Sequence, residues 1–490
     1  MTISKLLIAN RGEIAIRIAQ AAADMGIATV GIYSQDDASS LHHSVCDQAV
    51  ALAGSGPRAY LDGAAVLNAA GQTGCDAIHP GYGFLSENAR FADMVQAAGL
   101  RFVAPPAEVL RLFGDKVQAR ELAQAQGVPV IEGLARVDTA QEAAAFMASL
   151  PEGSAIMIKA MSGGGGRGMR VVRDAGALEQ AIASCRAEAQ QSFGEPGLYA
   201  ERLITDARHV EVQVLGDGTG AVRHFGEREC TLQRRHQKII EIAPSPSLRP
   251  DTRAALCDAA LKLARAVNYK GLGTFEFLVE GEDPRPWFIE ANPRLQVEHT
   301  VTEELLGVDL VRQQLAVAGG ACLADLESGP ERAEGFAIQC RVTLEDMDAD
   351  GAARPAAGTI SRYEPPTGPG IRVDGFAYGG YAVTTLFDPL LAKVITRSAA
   401  PDFATAVAKA DRALSTLKTA GVDLTGWFAE KGALTTAGSD GSQQVTDPVA
   451  VKLLAFIHDS AFSEDGLNGF GAGGEGGNPF ETGNPDLRQQ

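Results

Sequence analysis

Glu276 and Glu290 lie in "TFEFLVEGEDPRPWFIEAN", two apolar runs around a Gly- and Pro-rich turn. If that hairpin centres on Asp283, each glutamate is seven positions from the centre and the two pair across the strands. Opposed carboxylates repel, and more strongly when half-buried, unless a cation sits between them. Asn292, two residues further on, adds a carbonyl oxygen to the same face. Hard oxygen donors of this kind suit Mg2+ or Mn2+, with nucleotide phosphates completing the shell. The plain alternative is an edge hairpin with both carboxylates in water.

From Glu290 to Glu298 every second residue is polar: Glu290, Asn292, Arg294, Gln296, Glu298. This period is that of a half-buried strand, but Pro293 cannot donate to a ladder and belongs at an edge or outside a sheet. The run is either a wet strand edge or a row of functional groups aimed at something. "KAMSGGGGRGM" (159–169) places four glycines between strands, where backbone N–H groups can wrap an anion and Lys159 and Arg167 add charge. It lacks the GK[ST] of a Walker loop, and a flexible hairpin tip is the other reading. "RRHQK" (234–238) is the only dense cation cluster; its apolar continuation "IIEIAP" favours an internal anion site over a solvated charge run. "HPGYGFLSEN" (79–88) follows a short strand, the position at which parallel sheets bind ligands. These groups together describe an enzyme of nucleoside triphosphates without a P-loop.

The elements that must carry them follow from periodicity. "KLLIAN", "IATVGIYS", "CDAIHPGYG" and "LRFVAP" read as buried strands alternating with helices, a Rossmann-like parallel sheet over about the first 110 residues. No GxGxxG follows the first strand, which weakens a nicotinamide reading. A second unit opens with a helix in "GDKVQARELAQAQGVPV" (114–130) and includes the strand–loop–strand around the glycines. It also includes a hairpin over 208–229, a helix over 251–267 and the Glu276/Glu290 hairpin. Short strands with Gly/Pro turns follow from about Gly335, and 467–490 is a Gly-rich, acidic stretch that reads as a linker.

The chain has 490 residues, which implies two to four domains. A net charge of −18 opposes nucleic acid and anionic membrane as partners. Seven scattered cysteines form no disulfide framework or zinc ribbon. No signal sequence is recognisable and no run approaches the roughly 18 apolar residues of a membrane span; a cytoplasmic protein is expected.

With "IANRGEIAIRI", "HPGYGFLSEN", "GDK", "GGGGRGM", "RHVEVQV", "ERECTLQRRHQKIIEIAPS", "GTFEFL", "NPRLQVEHTVTE" and "AIQCRV", the chain resembles the biotin carboxylase family of ATP-grasp enzymes over about residues 3–415. "AIQCRVTLED" is closer to the pyruvate carboxylase type and its acyl-carboxylase relatives. The resemblance implies an α/β ATP-grasp fold: an N-terminal domain over 1–113, an ATP-grasp domain over 114–330 with a lid at about 133–203, a C-terminal α+β domain over 331–450, and an atypical tail over 451–490. It implies that Lys116, Lys159, Gly164, Gly165, Gly166, His209, Gln233 and His236 hold ATP, with Glu201 to Leu203 as the adenine hinge. Glu276, Glu290 and Asn292 would hold Mg2+ or Mn2+, two ions in all. Lys238, Arg294, Gln296 and Val297 would hold bicarbonate, Glu298 would be the base, and Arg341, Tyr82 and Gly83 would meet biotin. Implied partners are a biotin carrier domain or protein, a carboxyltransferase component and a second copy of the chain.

Two departures stand out. After about Leu417, "AGVDLTGWFAEKGAL" replaces the family's closing "KTN"-like segment, and no "MKM"-type biotinylation site is present, Lys452 being a poor substitute. Biotin must therefore arrive on another domain or subunit. A different ATP-grasp ligase would show no biotin dependence and would not need Glu298 together with Arg341. A catalytically silent assembly subunit would not need the full set of catalytic residues.

Overall fold

A computed structural model describes residues 2–161, 168–204, 207–234, 237–280, 285–330, 333–347 and 353–420, and two short strands beyond, Thr435–Ala437 and Gln443–Val445. Gly164, Gly165, Gly166 and Arg167 of the glycine loop, His236, and the segment and tail after 420 that depart from the family pattern lie outside the described residues, those two strands excepted.

Five parallel strands open the chain, in the spatial order Gln48–Ala51, Ala28–Tyr33, Lys5–Ile8, Ala77–His79 and Arg101–Phe102. "KLLIA" is apolar without alternation because both faces are covered: Leu6 and Ile8 enter one core, Leu7 and Ala9 the other. The loop after His79 is tied to the first strand by Asn10, whose Nδ2 donates to the Pro80 and Tyr82 carbonyls (2.7 Å each). Gly81 sits at φ +65°, and a Cβ there would come within 2.8 Å of Asn10 Nδ2, so only glycine fits this close approach.

Eight antiparallel strands form the central sheet, in the order Pro286–Asn292, Lys270–Glu280, Ala207–Asp217, Val222–Glu229, Ile240–Ala243, Phe336–Thr343, Leu390–Ser398 and Ile371–Gly375. This one sheet spans both sides of residue 330, through the pairing of Ile240–Ala243 with Phe336–Thr343. Pro286–Asn292 is its edge and stops at Asn292, immediately before Pro293, as a residue without an N–H requires.

The expected pairing of Glu276 with Glu290 is present, but a single centre at Asp283 does not describe the whole hairpin. Phe277 pairs with Phe288 rather than with Ile289, because the edge strand carries a bulge between the two registers. Without it Phe288 would share a face with Glu290 and Asn292. With it Phe288 joins Phe275, Phe277 and Ala291 in the core while the polar residues keep the opposite face.

A smaller sheet, Gly133–Leu134, Leu198–Arg202, Ile156–Ala160 and Met169–Val172, is antiparallel throughout and packs against helices Ala140–Ser149 and Leu178–Phe193. It carries Lys159 and Glu201, and the glycine loop departs from it. Among the described residues no helix is long and apolar enough to cross a membrane.

Candidate active site

Register across the central sheet puts Arg228, Glu211, Glu276 and Glu290 abreast on four neighbouring strands. Directly paired residues share a face, so three carboxylates stand side by side, an arrangement that requires cations. Arg228 meets Glu211 at 2.5 Å, and both are fully buried. Lys116, first residue of the helix Lys116–Ala125, reaches Glu290 at 3.2 Å. Asp115 caps that helix through the N–H groups of Val117 and Gln118, which fixes where the lysine leaves it.

Lys238 occupies the centre. Its Nζ donates to Glu211 (2.8 Å), Glu276 (3.0 Å) and Glu298 (2.8 Å). Burial works against this ammonium, yet the acidic groups around it, Cys230, Glu211, Glu276 and Glu298, hold its pKa well above the usual lysine value. Glu211, Cys230 and Glu298 bring ligand atoms within 4.8 Å of one another, but Lys238 bridges the two carboxylates, so the trio is an ammonium site.

Glu276 also accepts from Asn292 Nδ2 (2.7 Å) and faces His209 Nε2 (2.5 Å). Gln233 Nε2 lies 2.7 Å from His209 Nδ1, which leaves Nε2 as the protonated nitrogen, directed at Glu276. Burial pushes the Glu276 carboxyl up, but Lys238 and His209 outweigh it and hold its pKa well below the ordinary range.

Past Pro293 the chain turns through a loop to the helix His299–Leu306, with Glu298 at its N-cap. Arg294 donates to Gln296 Oε1 (3.0 Å) and Asn292 Oδ1 (3.2 Å), and Gln296 Nε2 donates to Thr274 Oγ1 (2.7 Å). Glu298 is 1 % exposed and receives Lys238 on one oxygen and Arg341 Nη2 on the other (3.1 Å). Burial would raise its pKa; Lys238, Arg341 and Arg228 overcome this and hold it well below the usual carboxylate value.

Tyr82 donates its hydroxyl to Glu13, and Gly83 follows at φ +66°. In the small sheet Lys159 pairs with Glu201, and Arg120 approaches the same carboxylate at 3.6 Å. The Leu203 N–H is committed to the Ala155 carbonyl (2.8 Å), which leaves hydrogen bonds to a base to other backbone groups of this segment.

Several buried residues packed around the site carry no distinguishing signal in the sequence. Glu211 lies in "VEVQV" and Glu241 in "IIEIA"; each looks like the wet face of an alternating strand, yet both are buried. The signal available was the quality of the alternation, which cannot tell a polar face in water from one turned onto a site. Lys393, 0 % exposed, pairs with Glu13 (2.9 Å) and donates to the Val297 carbonyl (3.1 Å), and nothing local in "LAKVI" points to it.

Residues 2–110 match the family model of the biotin carboxylase N-terminal domain, 115–326 that of the carbamoyl-phosphate synthase L chain ATP binding domain, and 339–433 that of the biotin carboxylase C-terminal domain. Biotin carboxylase 1 of Bacillus subtilis is 43% identical over 427 residues, covering 86% of this chain and 93% of that protein. Pyruvate carboxylase of Staphylococcus aureus is 46% identical over 429 residues, which are 86% of this chain and 37% of that longer protein. Among solved structures, the biotin carboxylase–β-γ-ATP complex of Campylobacter jejuni superposes with a TM-score of 0.82 at 39% identity, covering 86% of this chain and 93% of that one. The biotin carboxylase domain dimer of Hydrogenobacter thermophilus 2-oxoglutarate carboxylase, solved with MgADP, ADP and bicarbonate, gives 0.82 at 38% identity, covering 87% and 92%. The carboxylate row, the three cations that meet it (Arg228, Lys116 and Lys238) and these matches lead to one conclusion: the chain belongs to the biotin carboxylase family.

Proposed function

We propose that this chain carboxylates biotin with bicarbonate at the expense of ATP, the first half-reaction of a biotin-dependent carboxylase, releasing ADP and phosphate. The observation that carries this reading is the meeting of Lys238 and Arg341 on Glu298, with Arg294 held by Asn292 and Gln296 beside the Glu276–Glu290–Asn292 row. A P-loop kinase or a plain ATP-dependent ligase has no use for a buried glutamate held between a lysine and an arginine.

Lys116, Lys159, His209 and Gln233 hold the nucleotide, with the glycine lid Gly164–Gly166 and His236 completing the phosphate shell and Glu201 to Leu203 bordering adenine. The donor set of Glu276, Glu290 and Asn292 fits hard divalent cations: two carboxylates in register, with their charge met by Lys116 and Lys238. Two ions of Mg2+ or Mn2+ held there would neutralise phosphate charge.

Bicarbonate lies among Lys238, Arg294, Gln296 and the Val297 backbone. Lys238 and Arg294 favour its dianion, and Glu298, ionised because its neighbours keep its pKa low, takes the proton. The oxyanion attacks the γ-phosphorus of ATP, the bond to ADP breaks, and carboxyphosphate forms. Carboxyphosphate separates into CO2 and phosphate, phosphate takes the N1′ proton of biotin, and the ureido nitrogen attacks CO2. Arg341 meets the ureido oxyanion with a planar guanidinium, and Tyr82 and Gly83 border the ring. Closure of the lid keeps water from the intermediate. Biotin reaches the site on a carrier domain or protein, a carboxyltransferase component uses the product, and two copies of the chain associate as in the Hydrogenobacter relative.

The test is ATP hydrolysis with bicarbonate, with and without free biotin, for the wild type and Glu298→Gln. Biotin should stimulate the wild type, and the substitution should remove at least two orders of magnitude of that stimulated rate. Indifference to biotin, or an unharmed variant, overturns the reading.

A further inference from the structure

Glu241 is a buried carboxylate for which the reaction above has no use. It sits on Ile240–Ala243 between Ile240 and Ile242, which face the core, and pairs across the sheet with Gln339. Its Oε1 accepts from Arg341 Nε (2.7 Å) and lies 2.5 Å from Arg341 Nη2. Its Oε2 accepts from Gln339 Nε2 (2.8 Å), and Gln339 Oε1 in turn accepts from Thr300 Oγ1. Glu241, Gln339 and Thr300 are all 0 % exposed. Both oxygens of Glu241 are thus engaged within the protein, and among the described residues the only cation in salt-bridge contact with it is Arg341.

A carboxylate sealed this way is costly unless its partner repays the desolvation. Arg341 is gripped along its Nε edge by Glu241, shares Nη2 with Glu298, and among the described residues makes no hydrogen bond through Nη1. Of the two carboxylates on this guanidinium, Glu298 must change partners during turnover, because it receives the bicarbonate proton. Glu241 does not: its second oxygen is fixed by Gln339, and that amide is fixed by Thr300. Since Glu241 and Arg341 together are neutral, the glutamate supplies direction to the guanidinium and no additional charge.

We propose that Glu241 is a positioning residue for the biotin step, an anchor that holds Arg341 by its Nε edge so that the Nη1 side stays presented to the ureido oxygen while Glu298 exchanges partners. The inference rests on the proposed carboxylase function. It predicts a separation between two activities. Bicarbonate-dependent ATP cleavage in the absence of biotin draws on Lys238, Arg294 and Glu298, whereas biotin carboxylation also draws on the aim of Arg341.

The experiment compares wild type, Glu241→Gln, Arg341→Gln and the double variant. Three readouts are taken on each: biotin-independent ATP hydrolysis with bicarbonate, biotin-stimulated turnover, and Tm. Glu241→Gln can keep its buried hydrogen bond if the Gln339 amide turns over, so a folded protein is expected. The biotin-stimulated kcat should fall at least tenfold, with the KM for ATP and the biotin-independent rate within about twofold of wild type. In the Arg341→Gln background the same change should cost nothing further, the non-additivity expected of a residue that acts only through its partner. Should Glu241→Gln not fold, Glu241→Asp, which keeps the charge but withdraws it by one methylene, is read by the same criteria. An unchanged biotin-stimulated kcat, equal losses in both activities, or an additive loss beside Arg341→Gln overturns the role of Glu241. Wild type without any biotin stimulation overturns the carboxylase reading itself, and with it this inference.

Discussion

At the scale of single residues, Lys238 is where the site is least tolerant. One ammonium serves three buried carboxylates, Glu211, Glu276 and Glu298, none farther than 3.0 Å. Removing one partner of a buried pair leaves uncompensated charge, typically at a cost of about 3–5 kcal/mol. Lys238→Met should therefore lower the unfolding free energy by about that amount and abolish ATP hydrolysis, with urea denaturation at neutral pH as the measurement. Unchanged stability would mean that the three carboxylates are not charged together in the folded protein. Some of this centre could be read directly from residue types: two glutamates equidistant from a turn, an asparagine two residues beyond, and a glutamate after Pro293. Residue types alone left the cations of "RRHQK" undistinguished; the family resemblance picked out Lys238 for bicarbonate, and only the fold shows it joining three carboxylates.

At the scale of elements, the strand Lys270–Glu280 shows how closely the sheet is built around the site. Gly273 sits one residue before Thr274, which holds Gln296, and its carbonyl accepts from Gln213 Nε2 (2.9 Å). A Cβ on Gly273 would overlap the buried Tyr269 hydroxyl and lie 2.7 Å from the ring carbon that bears it. Gly273→Ala should destabilise by about 1–3 kcal/mol through overpacking, read from the urea midpoint. Tyr269→Phe in the same chain should restore part of the loss, and no recovery would place the strain elsewhere. The edge bulge is a second feature of this scale. Alternation in "PWFIEAN" assigns Phe288, Glu290 and Asn292 to one face, and the inserted residue sends the phenylalanine to the core instead. Apolar and polar residues two apart conflict in a regular strand, and the bulge resolves that conflict.

For the whole molecule, a net charge of −18 coexists with an interior that concentrates cations against buried carboxylates, so the acidic exterior says nothing about the site. Acid sensitivity follows from buried histidines. Burial lowers His42 from 6.5 to about 4, with Asp37 only partly compensating. Burial also lowers His79 from 6.5 to about 3. In each case the unfolded chain takes up a proton that the folded protein refuses, so stability is full above pH 6.5 and falls as pH drops toward the folded value. Each histidine contributes a slope of about 1.4 kcal/mol per pH unit in that window. Urea midpoints at pH 7 and pH 5 should differ accordingly, and His42→Asn should shrink the difference by about 2 kcal/mol. A variant with the wild-type pH dependence would show that His42 is protonated in the folded state.

The amino-acid sequence by itself determined which segments are strands and helices, where they stop, and which side chains are chemically able to handle phosphate, metal and bicarbonate. These are local properties, set by periodicity, by Pro and Gly, and by functional groups spaced along one chain. Tertiary structure alone decided which polar strand faces are wet and which are sealed. Glu211 and Glu241 alternate as an exposed glutamate would, and only the strands packed beside them turn their faces inward. It also decided the pairings that aim the reactive groups. Arg341 meets Glu241 100 residues away, and Lys393 meets Val297 96 residues away. Whether two distant side chains meet depends on how the sheet stacks and registers its strands, and no periodicity within one strand carries that information.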